Sequence, residues 1–311
     1  MKRSVVLGVL VVAGGLSLVF AAQQAEAPKN IEVTKLKDNL FVLKGGGGNT
    51  AVFVMADGVT VVDAKNPGWG QPILTKIKEL TNKPVVRLIN THTHADHVGG
   101  NVEFPATIDI VTQENTKANM EKMVPPSGFP PYPPSTANLF KDSKGQGMPK
   151  RTFKDKMSIG SGNDRIELYY FGRAHTNGDA WVLFPALRVM HAADVFSGKN
   201  IPLIDAVNGG SAVAFPNTLQ KAYDTVKDVD IIITGHSTEM TRPDLKEYTE
   251  FNRDFLKDVT AAKKAGKSVD QVASSWKIPE KYKGYAAPMP DRLKSNIQIA
   301  CDELNGAGSK K

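Results

Sequence analysis

Apolar positions along this chain come in short alternating bursts separated by stretches of helical spacing. Residues 39–46 (NLFVLKGG) and 49–65 (NTAVFVMADGVTVVDAK) predict strands, the second turning at Ala56-Asp57-Gly58. Ile73, Leu74, Ile77 and Leu80 recur at helical intervals within 70–81. Residues 84–90 (PVVRLIN) predict a strand, and a helix is expected from near Asp96 to about Glu103. A strand over 107–113 and a short helix over 115–123 follow. The second half has the same flavour: strands over 164–172, 180–186 and 187–194, a helix over 217–228, a strand over 229–235 and a long amphipathic helix over 243–266. Two more helical segments close the chain. Alternating strands and helices in two similar halves predict an α/β fold with helices outside packed sheets.

Two stretches break the pattern. Residues 124–135 (VPPSGFPPYPPS) carry six prolines in twelve positions, which favours an extended, stiff loop with apolar tips at Phe129 and Tyr132. Such a loop is either a lid beside the active site or a surface excursion. At the other end, Lys2 and Arg3 precede an uncharged run over 5–22, and Ala25-Glu26-Ala27 or Val19-Phe20-Ala21 offers a small-residue cleavage point. A secretory signal over 1–27 is expected, with a retained membrane anchor as the competing reading. The remainder, 28–311, is read as one domain with a C-terminal helical extension (about 244–305), placed in the periplasm or secreted. The single cysteine, Cys301, rules out an internal disulfide and reads as a buried small hydrophobe.

The net charge of +7 refines this only slightly. Lysines are scattered and no aromatics interleave with them, so no nucleic-acid surface is expected. Once the signal is cleaved, no stable membrane association is expected either. The basic balance instead favours solubility and some attraction for small anionic substrates.

Chemistry concentrates at residues 91–97, THTHADH, which hold three of the chain's six histidines. On an extended segment His92 and His94 share one face and can bind one ion together. Asp96 and His97 come as the chain turns, and can point to a second ion. His175 and His236 each follow a predicted strand, as the cluster does, and strand ends in α/β folds are where binding loops gather. Asp194 ends another strand and could bridge two ions. The donor set of imidazoles and carboxylates suits zinc first, with iron or manganese also fitting. His191 lies three residues before Asp194 on the opposite face of its strand, and reads as a packing residue or a support for the ligands.

THTHADH, the distant AHTNGD, HAADVF and TGHS together resemble the metallo-β-lactamase fold hydrolases, over about residues 39 to 240. The resemblance implies an αββα sandwich: two mixed sheets face to face, helices on the outer faces, and a dinuclear metal site at one edge. It implies that His92, His94 and His175 hold a first ion, that Asp96, His97 and His236 hold a second, and that Asp194 bridges them. Asp63, in TVVDAK, stands where the family keeps an aspartate that orients ligand histidines. The chain has AHTNG where the family often has GHTPG, and Ala193 before Asp194 where it often has glycine; neither change removes a ligand.

The expected reaction follows. A metal-bridging hydroxide is a nucleophile at neutral pH and suits attack on an ester, lactone, thioester, amide or phosphoester. Asp96 is the residue expected to handle the proton. No Gly-x-Ser-x-Gly elbow occurs, which argues against a protein nucleophile. One large group of zinc β-lactamases uses cysteine where this chain has Asp194, which argues against that group, whereas export favours a β-lactamase. An exported carbonyl hydrolase acting on a small molecule therefore ranks first, a β-lactamase second, and an iron-dependent oxidoreductase on the same fold is the alternative from another class. Lys199 could hold a substrate carboxylate and Asn208 could help bind an oxyanion.

Overall fold

The computed structural model describes residues 29–126 and 139–306. The signal segment and most of the proline-rich segment therefore lie outside the described residues. Among the described residues no helix is long and apolar enough to cross a membrane.

The chain opens with β1 (Glu32–Lys37), β2 (Leu40–Lys44), β3 (Thr50–Val54) and β4 (Val59–Val62), an antiparallel meander. Helix α1 (Gly70–Leu80) crosses to β5 (Val85–Ile89), parallel to β4. The histidine cluster then leads into α2 (Ala95–Val98), a 3₁₀ turn over Gly99–Glu103, and β6 (Asp109–Gln113). After α3 (Glu114–Met120) and α4 (Leu139–Asp142), β7 (Arg151–Phe153) completes a seven-stranded sheet in the order β1 to β7.

The second sheet takes β8 (Lys156–Ile159), β9 (Ile166–Tyr170), β10 (Ala180–Phe184) and β11 (Val189–Ala193) as an antiparallel run. Helix α5 (Phe215–Thr225) then returns the chain to β12 (Ile231–Thr234), parallel to β11. Helices α6 (Arg242–Lys264), α7 (Val269–Ser275) and α8 (Pro290–Gly306) follow. A capping box between Thr241 and Asp244, with Pro243 in the first turn, fixes where α6 starts.

Alternation along the strands sorts side chains into three apolar layers. Val42, Phe53, Val62 and Ile89 of the first sheet meet Leu168, Val182 and Phe184 of the second. The opposite face of the first sheet (Val52, Val61, Leu88) packs on Ile73 and Ile77 of α1. The opposite face of the second (Trp181, Met190, Ile232) packs on Leu219, Tyr248 and Ile297 of α5, α6 and α8. Both sheets are thus covered on both faces, which explains the near-continuous apolar strands. The architecture is the expected αββα sandwich of two mixed sheets.

Three strands went unpredicted: β1, β7 and β8. Each carries exposed residues, β1 and β7 are sheet edges and β8 is the other sheet's edge, so their patterns lack the apolar run of central strands. The helix expected from Asp96 to Glu103 breaks into α2 and a 3₁₀ turn at Gly99-Gly100.

Candidate metal centre

The carboxyl ends of β4, β5, β11 and β12 meet at one edge of the sandwich. There His92, His94, His175 and Asp194 form one group of donors, and Asp96, His97 and His236 a second. Within each group one donor atom per residue lies within 4.8 Å of the others. Asp194 faces both groups: Oδ1 is 3.2 Å from His97 Nε2, while Oδ2 is 3.2 Å from His236 Nε2 and 3.7 Å from His175 Nε2. All seven residues singled out in the sequence are therefore brought together.

Hydrogen bonds fix which nitrogen each imidazole presents. Thr91 donates its hydroxyl proton to Asp63 Oδ2 at 2.7 Å, so its Oγ1 offers a lone pair to His92 Nδ1 at 3.0 Å. His92 Nε2 is left buried with no hydrogen-bond partner among the described residues. His97 Nδ1 donates to Asp63 Oδ2 at 2.7 Å, His175 Nδ1 to the Leu203 carbonyl at 2.7 Å, and His94 Nε2 to Asp205 Oδ2 at 2.8 Å. Each of these rings turns its other nitrogen inward. Asp63 itself sits at φ +64, a strained conformation for a non-glycine residue, and also accepts Thr91 N–H at 2.8 Å.

The supporting backbone is equally committed. Ala193 adopts φ +44 and its N–H is accepted by His191 Nδ1 at 3.2 Å, while His191 Nε2 donates to the Asn49 carbonyl at 3.0 Å. His191 therefore holds the strained strand end that aims Asp194 rather than facing the donors. Gly235 packs so closely on Asp194 that a Cβ there would collide with Oδ1. Asn49 ties the two sheets at this edge by donating to the carbonyls of Thr234 (2.9 Å) and Ser237 (2.8 Å).

The electrostatics divide the donors. Burial, reinforced by the neighbouring imidazoles, holds His92 well below its ordinary range, and burial brings His175 down to about 4. Burial also disfavours a charged His97, but Asp96, Asp194 and Asp63 outweigh it and raise it well above 6.5. Asp194 raises His236 to about 10. Burial pushes Asp96 up, yet His97 and His236 bring it down to about 2; the same opposition, led by His236, keeps Asp194 ionised.

Two ionised carboxylates beside converging imidazole nitrogens, one of them a buried orphan, match what a pair of divalent cations needs. The residues present fit such a pair: His92, His94, His175 and Asp194 would hold one ion, and Asp96, His97, His236 and Asp194 the other.

Two residues expected at the substrate stand elsewhere. Lys199 is drawn into ion pairs with Asp244 (2.9 Å) and Glu247 (3.1 Å) on α6. Asn208 is buried and donates its amide to Asp205 Oδ2 (2.6 Å) and the Val124 carbonyl (3.1 Å), so it props the carboxylate behind His94. Asp205 was missed: its partner His94 is 111 residues away, and it lies in an aperiodic loop. Over the donors opens a cleft of about 280 Å³, lined also by Ser197, Asn200, Leu203 and Arg292. A larger groove of about 880 Å³ runs between α1 and the loop before β6, but among the described residues none of the metal-donor groups lines it.

Residues 43–236 match the metallo-beta-lactamase superfamily, and the chain belongs to it. It is a metallo-hydrolase of that superfamily. It is 30% identical over 245 residues to a metallo-beta-lactamase type 2 of Elizabethkingia meningoseptica, covering 73% of this chain and 86% of the relative. It is 27% identical over 199 residues to a 2,4-dinitroanisole O-demethylase subunit alpha of Nocardioides sp. (strain JS1661), covering 61% of this chain but only 52% of that relative. Among solved structures, a metallo-beta-lactamase from Pontibacter korlensis superposes with a TM-score of 0.58 at 18% identity, over 72% of this chain and 99% of that one. A stereoselective inverting sec-alkylsulfatase from Pseudomonas sp. gives 0.71 at 12% identity, over 89% of this chain and 50% of that one. At these identities the structures speak for the fold alone.

Proposed function

We propose that this protein is an exported dinuclear zinc hydrolase that cleaves a carbonyl-type bond (ester, lactone, thioester or amide) in a small molecule. The observation that carries this reading is the pair of donor groups sharing Asp194 beneath a small cleft. Two bound zinc ions would supply Lewis acidity and a water of lowered pKa. The chain's residues supply the rest. Asp63, Asp205 and the Leu203 carbonyl lock three imidazoles in the orientation that bares a nitrogen inward. Asp96 stands at the open rim, ionised, with Oδ2 3.2 Å from His236 Nε2; it is placed to take up a proton during bond cleavage and pass it on. Substrate enters along the His236 rim, the exposed end of the donor set.

A β-lactam is the second reading, and the named activity of the Elizabethkingia relative favours it. The protein without its first 27 residues, loaded with zinc, is to be assayed against a chromogenic cephalosporin, an aryl ester, an acyl lactone, a thioester and an aryl sulfate, with Asp194→Ala alongside. Preference for an ester, lactone or thioester that Asp194→Ala abolishes supports the proposal. A dominant cephalosporin rate lost in the same variant makes the protein a β-lactamase. No turnover with zinc, together with iron in the protein as isolated, sinks both in favour of an oxidoreductase. Export is tested separately by the N-terminal sequence of the protein recovered from outside the cytoplasm: an intact Met1 contradicts signal cleavage.

A further inference from the structure

We infer that Asn177 is a positioning residue for the buried donor group: it fastens the loop that carries Asp205 to the segment that carries His175, and so sets where the His94 ring stands against the His175 ring. This inference rests on the hydrolase reading above and adds a residue to its metal centre. Asn177 is the position at which this chain has AHTNG where GHTPG is common in the family. A proline there would have no backbone N–H to donate and no side-chain acceptor. Asn177 uses both.

The Asn177 N–H donates to the Asn208 carbonyl at 3.0 Å. Its Oδ1 accepts from Asn119 Nδ2 at 2.9 Å and its carbonyl from Asn115 Nδ2 at 2.8 Å, two residues one turn apart on α3. Thr116 donates Oγ1 to the Gly178 carbonyl at 2.7 Å, so α3 grips this turn by three side chains. On the other side, Asn208 donates Nδ2 to Asp205 Oδ2 at 2.6 Å, and the same oxygen accepts His94 Nε2 at 2.8 Å. An unbroken run of bonds thus leads from α3 through Asn177, Asn208 and Asp205 to the His94 ring. Asn119, Asn208, Asp205 and His94 are all buried, so these polar groups find their partners here rather than in water. The loop is stitched to the His175 segment on either side of Asn208 as well. Asp205 N–H donates to the His175 carbonyl and Ser211 N–H to the Ala174 carbonyl, each at 2.9 Å. His94 and His175 follow strands of different sheets, β5 and β9, yet their inward nitrogens stand 3.0 Å apart. Two imidazoles on one tetrahedral ion at about 2.0–2.1 Å are ~3.3 Å apart, so a few tenths of an ångström here decide how well one ion is held. The bonds of Asn177 fix that separation from outside the donor set.

The test is chelator competition on the zinc-loaded protein, with the ions retained counted by elemental analysis. Asn177→Ala keeps the N–H and loses the Oδ1 bond; Asn177→Pro loses both. The buried ion should weaken about tenfold in the first and further in the second, with the open ion changed by less than about twofold. Asn119→Ala removes the same bond from the α3 side and should match Asn177→Ala. In the double variant Asn177→Ala/Asp205→Asn the buried ion should be held no more weakly than in Asp205→Asn alone, because Asn177 acts through Asp205. Losses that add, an equal loss at both ions, or no loss at the buried ion each overturn the proposal while the hydrolase reading stands. Should Asn177→Pro not fold, Asn177→Ala, Asn119→Ala and the double variant decide alone. An unaltered protein that takes up no zinc contradicts the hydrolase reading, and the positioning is then read by NMR from the His94 Nε2 proton. Slower exchange of that proton with water in the unaltered protein than in Asn177→Ala supports the role of Asn177; equal exchange overturns it.

Discussion

The two donor groups are made of the same residue types but live in different surroundings. His92, His94, His175 and Asp194 are all buried, and Asp205, Thr91 and the Leu203 carbonyl set the three rings. Asp96, His97 and His236 run from a fully buried ring to one whose side chain is 39% exposed. In that second group only His97 has a carboxylate behind it that is not itself a donor candidate, namely Asp63. The contrast teaches how one strand-end cluster can produce unequal ions. The buried group is preorganised and should bind first and tightly; the open group should bind more weakly and face the substrate.

The largest effect should come from the residue common to both groups. Asp194→Ala removes a ligand from each and leaves His97 and His236 without their bridging carboxylate. Activity should fall about a thousandfold or more, and bound zinc well below two ions per chain, by elemental analysis. A variant that keeps both ions would show that Asp194 does not bridge, and the comparison would have to be redrawn.

Proton release sharpens the contrast. His92 and His175 are held neutral at pH 7, so these two can ligate without shedding protons. His97 and His236 are raised, His236 to about 10, so at pH 7 they carry protons that an ion must displace. The open group's affinity should therefore climb with pH between 6 and 8, by up to about tenfold per unit for each proton displaced, while the buried group's stays nearly flat. Calorimetric zinc titrations in buffers of different ionisation enthalpy report the protons released at each step. Equal release at both steps would break the comparison.

Removing the supports should act unequally on the two groups. Asp205→Asn should weaken the buried ion, and Asp63→Asn chiefly the open one through His97, with a smaller loss at the buried one through Thr91 and His92; each main effect should be about ten- to a hundredfold in chelator competition. If Asp63→Asn weakens the buried ion more than the open one, the assignment of supports to groups is wrong.

The sequence made the cluster legible because its spacing is local: His92 and His94 alternate on one extended segment, and Asp96 and His97 follow at the turn. His175, Asp194 and His236 were readable from the strands that precede them, and Asp63 by resemblance. Asp205 was not, for a physical reason. It acts through a contact across the fold, to His94, from an aperiodic loop where nothing local marks it. Lys199 misled because a loop lysine near a site looks available until α6 folds over it. The central strands were plain from their apolar runs, whereas the half-exposed edges β1, β7 and β8 were not.

Lys65 gives the smallest and most specific effect, and it bears on the wall behind the open group. It is fully buried at φ +64 and donates from Nζ to the carbonyls of Leu43 and Gly48, each at 2.8 Å. Gly48 in turn lies against the His97 ring, with no room for a side chain, so Lys65 braces the loop that backs His97. Burial lowers its pKa to about 7, against the opposing pull of Asp63 and Asp96. A neutral amine has two N–H groups for the two carbonyls, which makes the uncharged form a sufficient brace. In the unfolded chain the lysine stays protonated up to about 10.5, so between pH 7 and that value the unfolded state binds the extra proton. Folding stability attributable to Lys65 should therefore rise with pH across this window, by on the order of a few kcal/mol at most. Urea unfolding of the zinc-loaded protein at pH 7 and pH 9 measures it, with Lys65→Met as the reference. In the variant the rise should vanish, and at pH 9 the two carbonyls left without donors should make it less stable than the unaltered protein. An identical pH slope in both proteins would mean that Lys65 keeps its proton when buried, and that the loop behind His97 is braced by an ammonium rather than an amine.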